Sequence, residues 1–259
     1  MPATRLATRA QPDPRPRTNA GAWLARQVVR FRDRETHVVV AVMAAVGFAV
    51  ATVFAVLFAA VYDATTESDG VAGLDQPVLD LMVTARSPGL VQVANAFTQS
   101  GGPYWMPVVT TLVICLVAWR TRSWWPLPLM IVAVSGSLLM THVGKTVVGR
   151  DRPPLTEAVP PYESSGSFPS GHSLNSLVIA GVLAYAIVVH LVCLLARVLT
   201  VVLAAIYASA MGLSRVFLGH HWLSDVLGAW ALGAAWLAVL ITGHRLVVMH
   251  RRARRQAAA

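Results

Sequence analysis

VVVAVMAAVGFAVATVFAVLFAAVY, residues 38–62, contains no charged side chain. A helix of about 20 apolar residues is long enough to cross the roughly 30 Å hydrocarbon layer of a bilayer. The run is too long for the apolar core of a signal peptide, and no clear small-residue cleavage site follows it. We therefore predict that it is a retained transmembrane helix and that the chain is an integral membrane protein.

Five further apolar runs follow, separated by short breaks. They cover residues 104–119, 125–143, 174–196, 198–213 and 222–243. Hydrophobic residues make up 56% of the chain and charged residues 13%, whereas a soluble domain usually carries about a quarter charged residues. The predicted fold class is therefore all-α: a polytopic membrane protein with six transmembrane helices.

The segments outside these runs complete the domain organisation. Residues 1–36 hold eight arginines and several prolines and are predicted to be a basic, mostly disordered cytoplasmic tail. Residues 37–244 form the membrane domain, and residues 245–259 form a second basic cytoplasmic tail. We see no internal repeat, and the basic residues form no domain of their own, so nucleic acid is not an expected partner.

Residues 63–102, between the first two runs, are polar to amphipathic. Four apolar residues at helical spacing predict an amphipathic helix on the membrane surface: Leu74, Val78, Leu81 and Met82. Its acidic residues Asp75 and Asp80 are expected to face water.

The basic residues predict the orientation of the bundle. Of the 21 lysines and arginines, sixteen fall on the side that holds both termini and five on the other. The positive-inside rule makes the first side cytoplasmic. We thus expect a multi-pass protein of the plasma (inner) membrane with both termini in the cytoplasm.

The opposite, extracytoplasmic side carries three polar segments. They are Lys145 to Pro153 after the third span, Pro169 to His172 before the fourth, and Ser214 to Asp225 between the last two spans. Lysine and arginine near membrane depth are costly unless they face a polar cavity. Lys145 (the only lysine), Arg152 and Arg215 cannot all be neutralised by Asp225, so a phosphate-bearing substrate is the expected anion.

His221 and Asp225 are four residues apart at the start of an apolar helix, so they share one face. The carboxylate can hydrogen-bond one ring nitrogen and leave the other free to attack. A helix N-terminus also disfavours a protonated imidazole. This pair therefore predicts a neutral histidine nucleophile beside a bound phosphate.

Ser170, Gly171 and His172 stand at the start of the fourth span. Backbone N–H groups and the Ser170 hydroxyl could hold phosphate oxygens there, Gly171 would allow close approach, and His172 could protonate a leaving oxygen. Taken alone, the dipeptide also fits a plain helix cap, and His172 an interfacial histidine.

Together these segments resemble the signature of the type 2 phosphatidic acid phosphatase superfamily: K-x6-R-P, then P-S-G-H, then S-R-x5-H-x3-D. All three parts occur without a mismatch. The resemblance implies a six-helix membrane fold and a phosphohistidine mechanism that uses neither a metal nor another cofactor. It implies phosphate binding by five residues: Lys145, Arg152, Ser170, Gly171 and Arg215. It further implies attack by His221, orientation of His221 by Asp225, and protonation of the leaving group by His172.

Neighbouring residues outside the signature receive structural assignments. His220 is expected at the rim of the site, and Arg150 with Asp151 as a solvated pair at the interface. Cys115 and Cys193, inside apolar runs, are expected to be buried small hydrophobes.

The family implies a lipid phosphate as substrate, and a polyprenyl diphosphate is the favoured one. Phosphatidic acid and phosphatidylglycerol phosphate stay open as alternatives, as does transfer of the phosphoryl group to an acceptor other than water. An inactive lipid-binding or transport relative is the alternative of another class, and the intact His172, His221 and Asp225 argue against it. Nothing in the sequence predicts the oligomeric state.

Overall fold

The structure is a computed structural model that describes the backbone of residues 19–258 and the side chains of residues 37–256. Helices and loops make up the whole of this described range, in agreement with the all-α prediction. Eight α-helices and one short 3-10 helix follow one another along it: α1 (Asn19–Glu67), the 3-10 helix (Gly70–Leu74), α2 (Asp75–Thr84), α3 (Pro88–Gln99), α4 (Trp105–Thr121), α5 (Pro126–Val148), α6 (Gly171–Val188), α7 (Leu194–Phe217) and α8 (Leu223–Ala258).

Internal contacts divide the chain into residues 1–42 and residues 43–259. The described part of the first unit, residues 19–42, is helical. Residues 1–18 of the predicted tail lie outside the described residues, whereas residues 19–36 belong to α1. Residues 245–258 continue α8 as a helix, where the sequence predicted a separate tail.

Six helices have the composition of membrane spans. Five are long and apolar enough to cross a bilayer: α1 over His37–Glu67, α5, α6, α7 and α8. The sixth, α4, is apolar and has 17 residues, which is near the lower limit of about 17 residues for a spanning helix. The six-helix prediction is confirmed.

The break between the fourth and fifth spans differs from the prediction. The sequence placed it at Arg197, but α6 ends at Val188 and α7 begins at Leu194. The connecting residues 189–193 are almost entirely apolar, so hydropathy does not distinguish them from the helices. Arg197 lies in the first turns of α7, where its Nε donates to the Leu191 carbonyl at 2.8 Å.

Helix α6 forms the centre of the bundle and packs against α5, α7 and α8. Leu174, Val178 and Val182, spaced four residues apart, are fully buried along one of its faces. Gly212 in α7 allows α8 to approach closely, since a Cβ atom there would lie 2.5 Å from Val226 and 2.6 Å from the Trp230 ring. Small residues at helix contacts are typical of packing in membranes.

Residues 70–99 cover the end of the bundle that carries the polar segments. The structure divides the predicted amphipathic helix into the 3-10 helix, α2 and α3. Leu74 and Leu81 are exposed as expected, but the expectation for Asp75 is wrong: it is 4% exposed and points inward. Asp75 is buried because Arg150 and Ser224, on other elements, bond its carboxylate.

The last turns of α1 support the loop that joins α5 to α6. The ring of Phe58 stacks on Phe168 with centroids 5.8 Å apart, and Tyr62 lies 6.2 Å from the same ring. Phe168 is fully buried. An aromatic cluster of this kind fixes the loop residue next to it, and the residue before it, Ser167, reaches the polar site.

Candidate active site

The three polar segments of the sequence meet at one end of the bundle. Lys145 stands in the last turn of α5, which Gly149 ends in a left-handed conformation with φ 60°. His172 is in the first turn of α6, and His221 lies in the short turn between α7 and α8. The loop of residues 149–170 closes over them and supplies Arg152.

The His221 ring is 1% exposed and has a different partner on each nitrogen. Its Nδ1 lies 3.3 Å from Asp225 Oδ2, and its Nε2 lies 3.3 Å from Arg152 Nη1. Because a guanidinium only donates, Nε2 is assigned as the acceptor and Nδ1 as the protonated nitrogen. Burial is the main cause that lowers the pKa of His221 to about 4, and the nearby Asp225 opposes the shift.

Asp225 is completely buried and fully hydrogen-bonded. Its Oδ2 accepts from the Trp222 backbone N–H at 2.9 Å and from the Ser167 hydroxyl. A side chain that returns to the backbone N–H at the start of its own helix fixes the entry into that helix. The same carboxylate therefore holds both the His221 ring and the turn that carries it.

A buried ion network stands behind Asp225. Arg150 donates from Nη1 to Asp225 Oδ1 at 2.7 Å and from Nη2 to Asp75 Oδ2 at 2.7 Å. Asp75 also accepts from the Ser224 N–H at 2.8 Å and from its hydroxyl at 2.6 Å. Burial lowers the pKa of Arg150, but Asp225 and Asp75 outweigh it and raise that pKa above its usual value.

This network corrects two expectations. Arg150 and Asp151 do not form a solvated pair, because Arg150 points inward to Asp225. Asp151 is exposed, and its carbonyl accepts from Trp222 Nε1 at 2.9 Å. The expectation that Asp75 faces water fails because Arg150 and Ser224 provide the partners that a buried carboxylate requires.

The predicted phosphate-binding cations surround the free side of the His221 ring. Arg152 is held by its Nη1 bond to the His220 carbonyl at 2.6 Å and its Nε bond to the Ser165 carbonyl at 2.8 Å. Lys145 Nζ donates to the Ser165 hydroxyl at 2.8 Å. Arg215 is 3% exposed and donates to Thr98 Oγ1 at 3.2 Å. The structure thus brings Lys145, Arg152 and Arg215 together.

Glu163 joins these cations, which the sequence analysis did not foresee. Its Oε2 accepts from Arg152 Nη2 at 2.8 Å, and its Oε1 accepts from Arg215 Nη2. Burial opposes ionisation of Glu163, but Arg215, His221 and Arg152 lower its pKa to about 2. The carboxylate is therefore negative at neutral pH.

The start of α6 completes the site. Ser170 is fully buried, and its hydroxyl accepts from Ser173 at 2.8 Å, while its N–H donates to the Asp225 carbonyl at 3.2 Å. Gly171 and His172 line the same cavity as Lys145 and His221. The structure therefore places Gly171 and His172 at the cavity wall and Ser170 behind it.

Comparison with known proteins places this geometry in a family. The PAP2 superfamily profile matches residues 123–248. Phosphatidylglycerophosphatase B of Bacillus subtilis (strain 168) is 33% identical over 172 residues, which are 66% of this chain and 83% of that protein.

The chain belongs to the PAP2 superfamily. It is a multi-pass membrane hydrolase of the lipid phosphatase class.

Two solved structures resemble this PAP2 protein. One is the crystal structure of a transmembrane PAP2-type phosphatidylglycerolphosphate phosphatase from Bacillus subtilis. It has a TM-score of 0.66 at 28% identity and covers 77% of this chain and 96% of that one. The other is the crystal structure of Aquifex aeolicus LpxE, with a TM-score of 0.52 at 24% identity over 65% of this chain and 94% of that one. The second match shows the fold alone.

A cavity of about 870 Å³ connects the site of this PAP2 protein to the apolar part of the bundle. Lys145, His172 and His221 line one end of it, and Leu127 and Ile131 in α5 line the other. Along α5, the distance from Lys145 to Leu127 is roughly 27 Å at 1.5 Å per residue. The cavity therefore follows a large part of the roughly 30 Å hydrocarbon thickness.

Three residues outside the motifs of this PAP2 protein differ from expectation. His220 is 4% exposed rather than at the rim, and its Nε2 bonds the Val159 carbonyl at 2.6 Å. Cys115 and Cys193 are both exposed on the protein surface. An apolar surface in a bilayer faces lipid, so apolar sequence does not by itself predict burial within the protein.

We expect the burial of His221 to make the stability of this PAP2 protein depend on pH in the weakly acidic range. The pKa of His221 falls from 6.5 to about 4 on folding, so between these values the unfolded state binds the proton and the folded state does not. The stability that the folded state gains from an unprotonated His221 is therefore complete above pH 6.5 and is lost as the pH falls toward 4.

Thermal unfolding midpoints in detergent can measure this loss. Between pH 7 and pH 4.5 the midpoint of the wild type should fall more steeply than that of H221N, which has no titrating ring. Parallel curves for the two proteins would contradict the buried, neutral state of His221.

Proposed function

We propose that this PAP2 protein removes the terminal phosphate of a glycerophospholipid, with phosphatidylglycerol phosphate as the first candidate, through a phosphohistidine at His221. The observation that carries the proposal is the position of His221 Nε2, which faces Arg152 at 3.3 Å while Asp225 holds Nδ1. An unprotonated nitrogen directed into a cationic pocket is suited to attack a phosphoryl group.

The binding step uses the cations and the cavity together. The guanidinium groups of Arg152 and Arg215 bind the phosphate oxygens, since planar N–H pairs suit phosphate geometry. The ammonium group of Lys145 adds a point charge, and the N–H group of Gly171 can donate at the start of α6. The lipid tail follows the apolar cavity along α5, so the phosphate stays fixed next to His221.

The chemical steps then follow as an in-line displacement. His221 Nε2 forms a bond to phosphorus as the bond from phosphorus to the lipid oxygen breaks, and His172 gives its proton to that oxygen. Asp225 stabilises the charge on the His221 ring through Nδ1–H. Water next attacks phosphorus, its proton passes to His172, and the P–N bond breaks to release inorganic phosphate and free His221.

The identity of the lipid rests on the relatives. The similar sequence and the first solved structure, both from Bacillus subtilis, are named phosphatidylglycerophosphatase B and phosphatidylglycerolphosphate phosphatase. These names favour one of the alternatives from the sequence over the polyprenyl diphosphate first preferred. A prenyl diphosphate is compatible with the same cation pocket and cavity.

A substrate panel tests the proposed function. The full chain in detergent should release phosphate from phosphatidylglycerol phosphate faster than from phosphatidic acid or a polyprenyl diphosphate, and a chelator should not slow it. Fastest release from the prenyl diphosphate would reverse the substrate order. Release from none of the three would overturn the function.

The proposed orientation places the site outside the cytoplasm. Its support is the excess of basic residues on the opposite side, where the loop of residues 189–193 and the end of α8 lie. Ser164 is exposed in the loop over the site, and the native Cys193 is exposed at the other end of the bundle. A chain that carries S164C and C115A therefore has one thiol on each side.

In intact cells, a membrane-impermeant maleimide should label S164C and should reach Cys193 only after the membrane is permeabilised. Two single-thiol chains assign each signal: C115A retains only Cys193, and S164C in a C115A and C193A background carries only the new thiol. Labelling of Cys193 alone in intact cells would reverse the orientation.

A further inference from the structure

Glu163 lies where a phosphate group would bind. Each of its carboxylate oxygens accepts from a different guanidinium, Oε2 from Arg152 and Oε1 from Arg215. Arg152 Nη1 also lies 3.3 Å from His221 Nε2. An anion that bridges these two arginines beside the nucleophile has the position and the partners of a substrate phosphate.

We infer that Glu163 is an internal competitor for the phosphate subsite, which a lipid phosphate or a free phosphate must displace before it binds. The inference rests on the proposed function, because it takes Arg152 and Arg215 as the phosphate ligands. It assigns a role in setting the affinity for phosphate groups to a residue outside the three motifs.

The cations around Glu163 hold its carboxylate in the subsite. Three cations converge here, and Glu163 is the carboxylate that pairs with two of them, while Asp225 is committed to His221 and Arg150. Its pKa of about 2, set by burial against the attraction of Arg215, His221 and Arg152, keeps it ionised. An incoming phosphate must therefore replace two charge-assisted bonds that already exist.

The lipid tail offsets the cost of displacing Glu163. A lipid phosphate gains binding free energy from its tail in the 870 Å³ cavity, whereas inorganic phosphate has only its oxygens. If the carboxylate occupies the subsite for about 90% of the time, the apparent affinity of a free anion falls about tenfold. The product of the reaction is such an anion, so Glu163 also weakens the binding of released phosphate.

The structure provides space for the displaced carboxylate. Glu163 is 30% exposed and lines both the lipid cavity and a second cavity of about 310 Å³. Arg152, Tyr162 and His220 line the second cavity. Rotation of the Glu163 side chain toward Tyr162 would free the subsite without movement of the helices.

Inhibition by inorganic phosphate and by orthovanadate, a phosphate analogue, tests the inference. In E163Q and E163A, the inhibition constants for both anions should fall about tenfold or more. The KM for the lipid should fall by up to the same factor, because its phosphate displaces the same carboxylate. E157Q provides the matched control, because Glu157 lies in the same loop, is partly exposed and contacts Gln76 at 3.5 Å rather than an arginine of the site.

The direction of the change separates competition from support. If Glu163 only positioned Arg152 and Arg215, its removal would raise the inhibition constants and lower kcat. Unchanged or raised constants in an enzyme whose wild type hydrolyses lipid phosphate would therefore overturn the inference alone. A wild type that neither releases phosphate nor responds to vanadate would overturn the proposed function instead. If neither E163Q nor E163A folds, E163D, with a shorter reach, should shift the constants in the same direction.

Discussion

Replacement of His221 by alanine is expected to reduce phosphate release from lipid phosphates by about 10⁴-fold or more, as for other nucleophiles in covalent catalysis. His221 Nε2 is the proposed attacking atom, and the buried Asp225 orients and stabilises its ring. The measurement is single-turnover phosphate release in detergent, together with the amount of phosphoenzyme trapped by rapid quench with radiolabelled substrate. The trapped phosphoenzyme should disappear in H221A.

The neighbouring residue provides the comparison. His220 has its ring bound to the Val159 carbonyl at 2.6 Å and not to a carboxylate. H220A should therefore lose less than about tenfold in rate, through a looser loop rather than a missing nucleophile. If the phosphoenzyme persisted in H221A and disappeared in H220A, His220 rather than His221 would be the nucleophile.

H172A should separate the two halves of the reaction. The proposed role of His172 is to protonate the lipid oxygen and then to activate water, which contributes typically about 10²–10⁴-fold. A substrate with a better leaving group should recover part of the first step in H172A. The same substrate should recover nothing in H221A, because no acceptor for the phosphoryl group is present there.

The helices and the central pair could be predicted from the sequence because their signals are local. Uncharged runs set the membrane spans, and a separation of four residues at a helix start sets the contact between His221 and Asp225. The break between α6 and α7 was placed wrongly because its loop, residues 189–193, is as apolar as the helices around it. Hydropathy reports side-chain composition rather than backbone conformation, and here the loop and the helices have similar compositions.

The roles of Asp75, Arg150 and Glu163 could not be predicted, because they depend on contacts between residues far apart in the sequence. Asp75 and Arg150 are 75 residues apart, and each has the appearance of an ordinary surface residue in its own segment. Glu163 and Arg215 are 52 residues apart. The charge balance did indicate that a further anion was needed, because one carboxylate cannot neutralise three cations. From the sequence, this anion was expected to be the substrate phosphate. In the structure, Glu163 pairs with Arg152 and Arg215 instead.

The ion network behind Asp225 leads to the second large effect. R150M should lower the free energy of unfolding by about 3–5 kcal/mol, the usual cost when one partner of a buried pair is removed. Methionine replaces the apolar stem of Arg150 but leaves the buried carboxylates of Asp75 and Asp225 without their shared cation. R120M is the matched control, because Arg120 is exposed in α4, and it should change stability by less than about 0.5 kcal/mol.

Removing the charge of Asp75 tests whether R150M destabilises the protein through the loss of the shared cation. Without Arg150, the repulsion between two buried carboxylates should be the main cost, so D75N should restore part of the stability lost in R150M. D75N in the presence of Arg150 should instead be destabilising, because the amide bonds Ser224 and Arg150 less well than the carboxylate does. Thermal and denaturant unfolding of the four proteins in detergent form a double-mutant cycle that gives the coupling free energy. Additive effects of the two substitutions would show that Asp75 and Arg150 do not act through each other on Asp225.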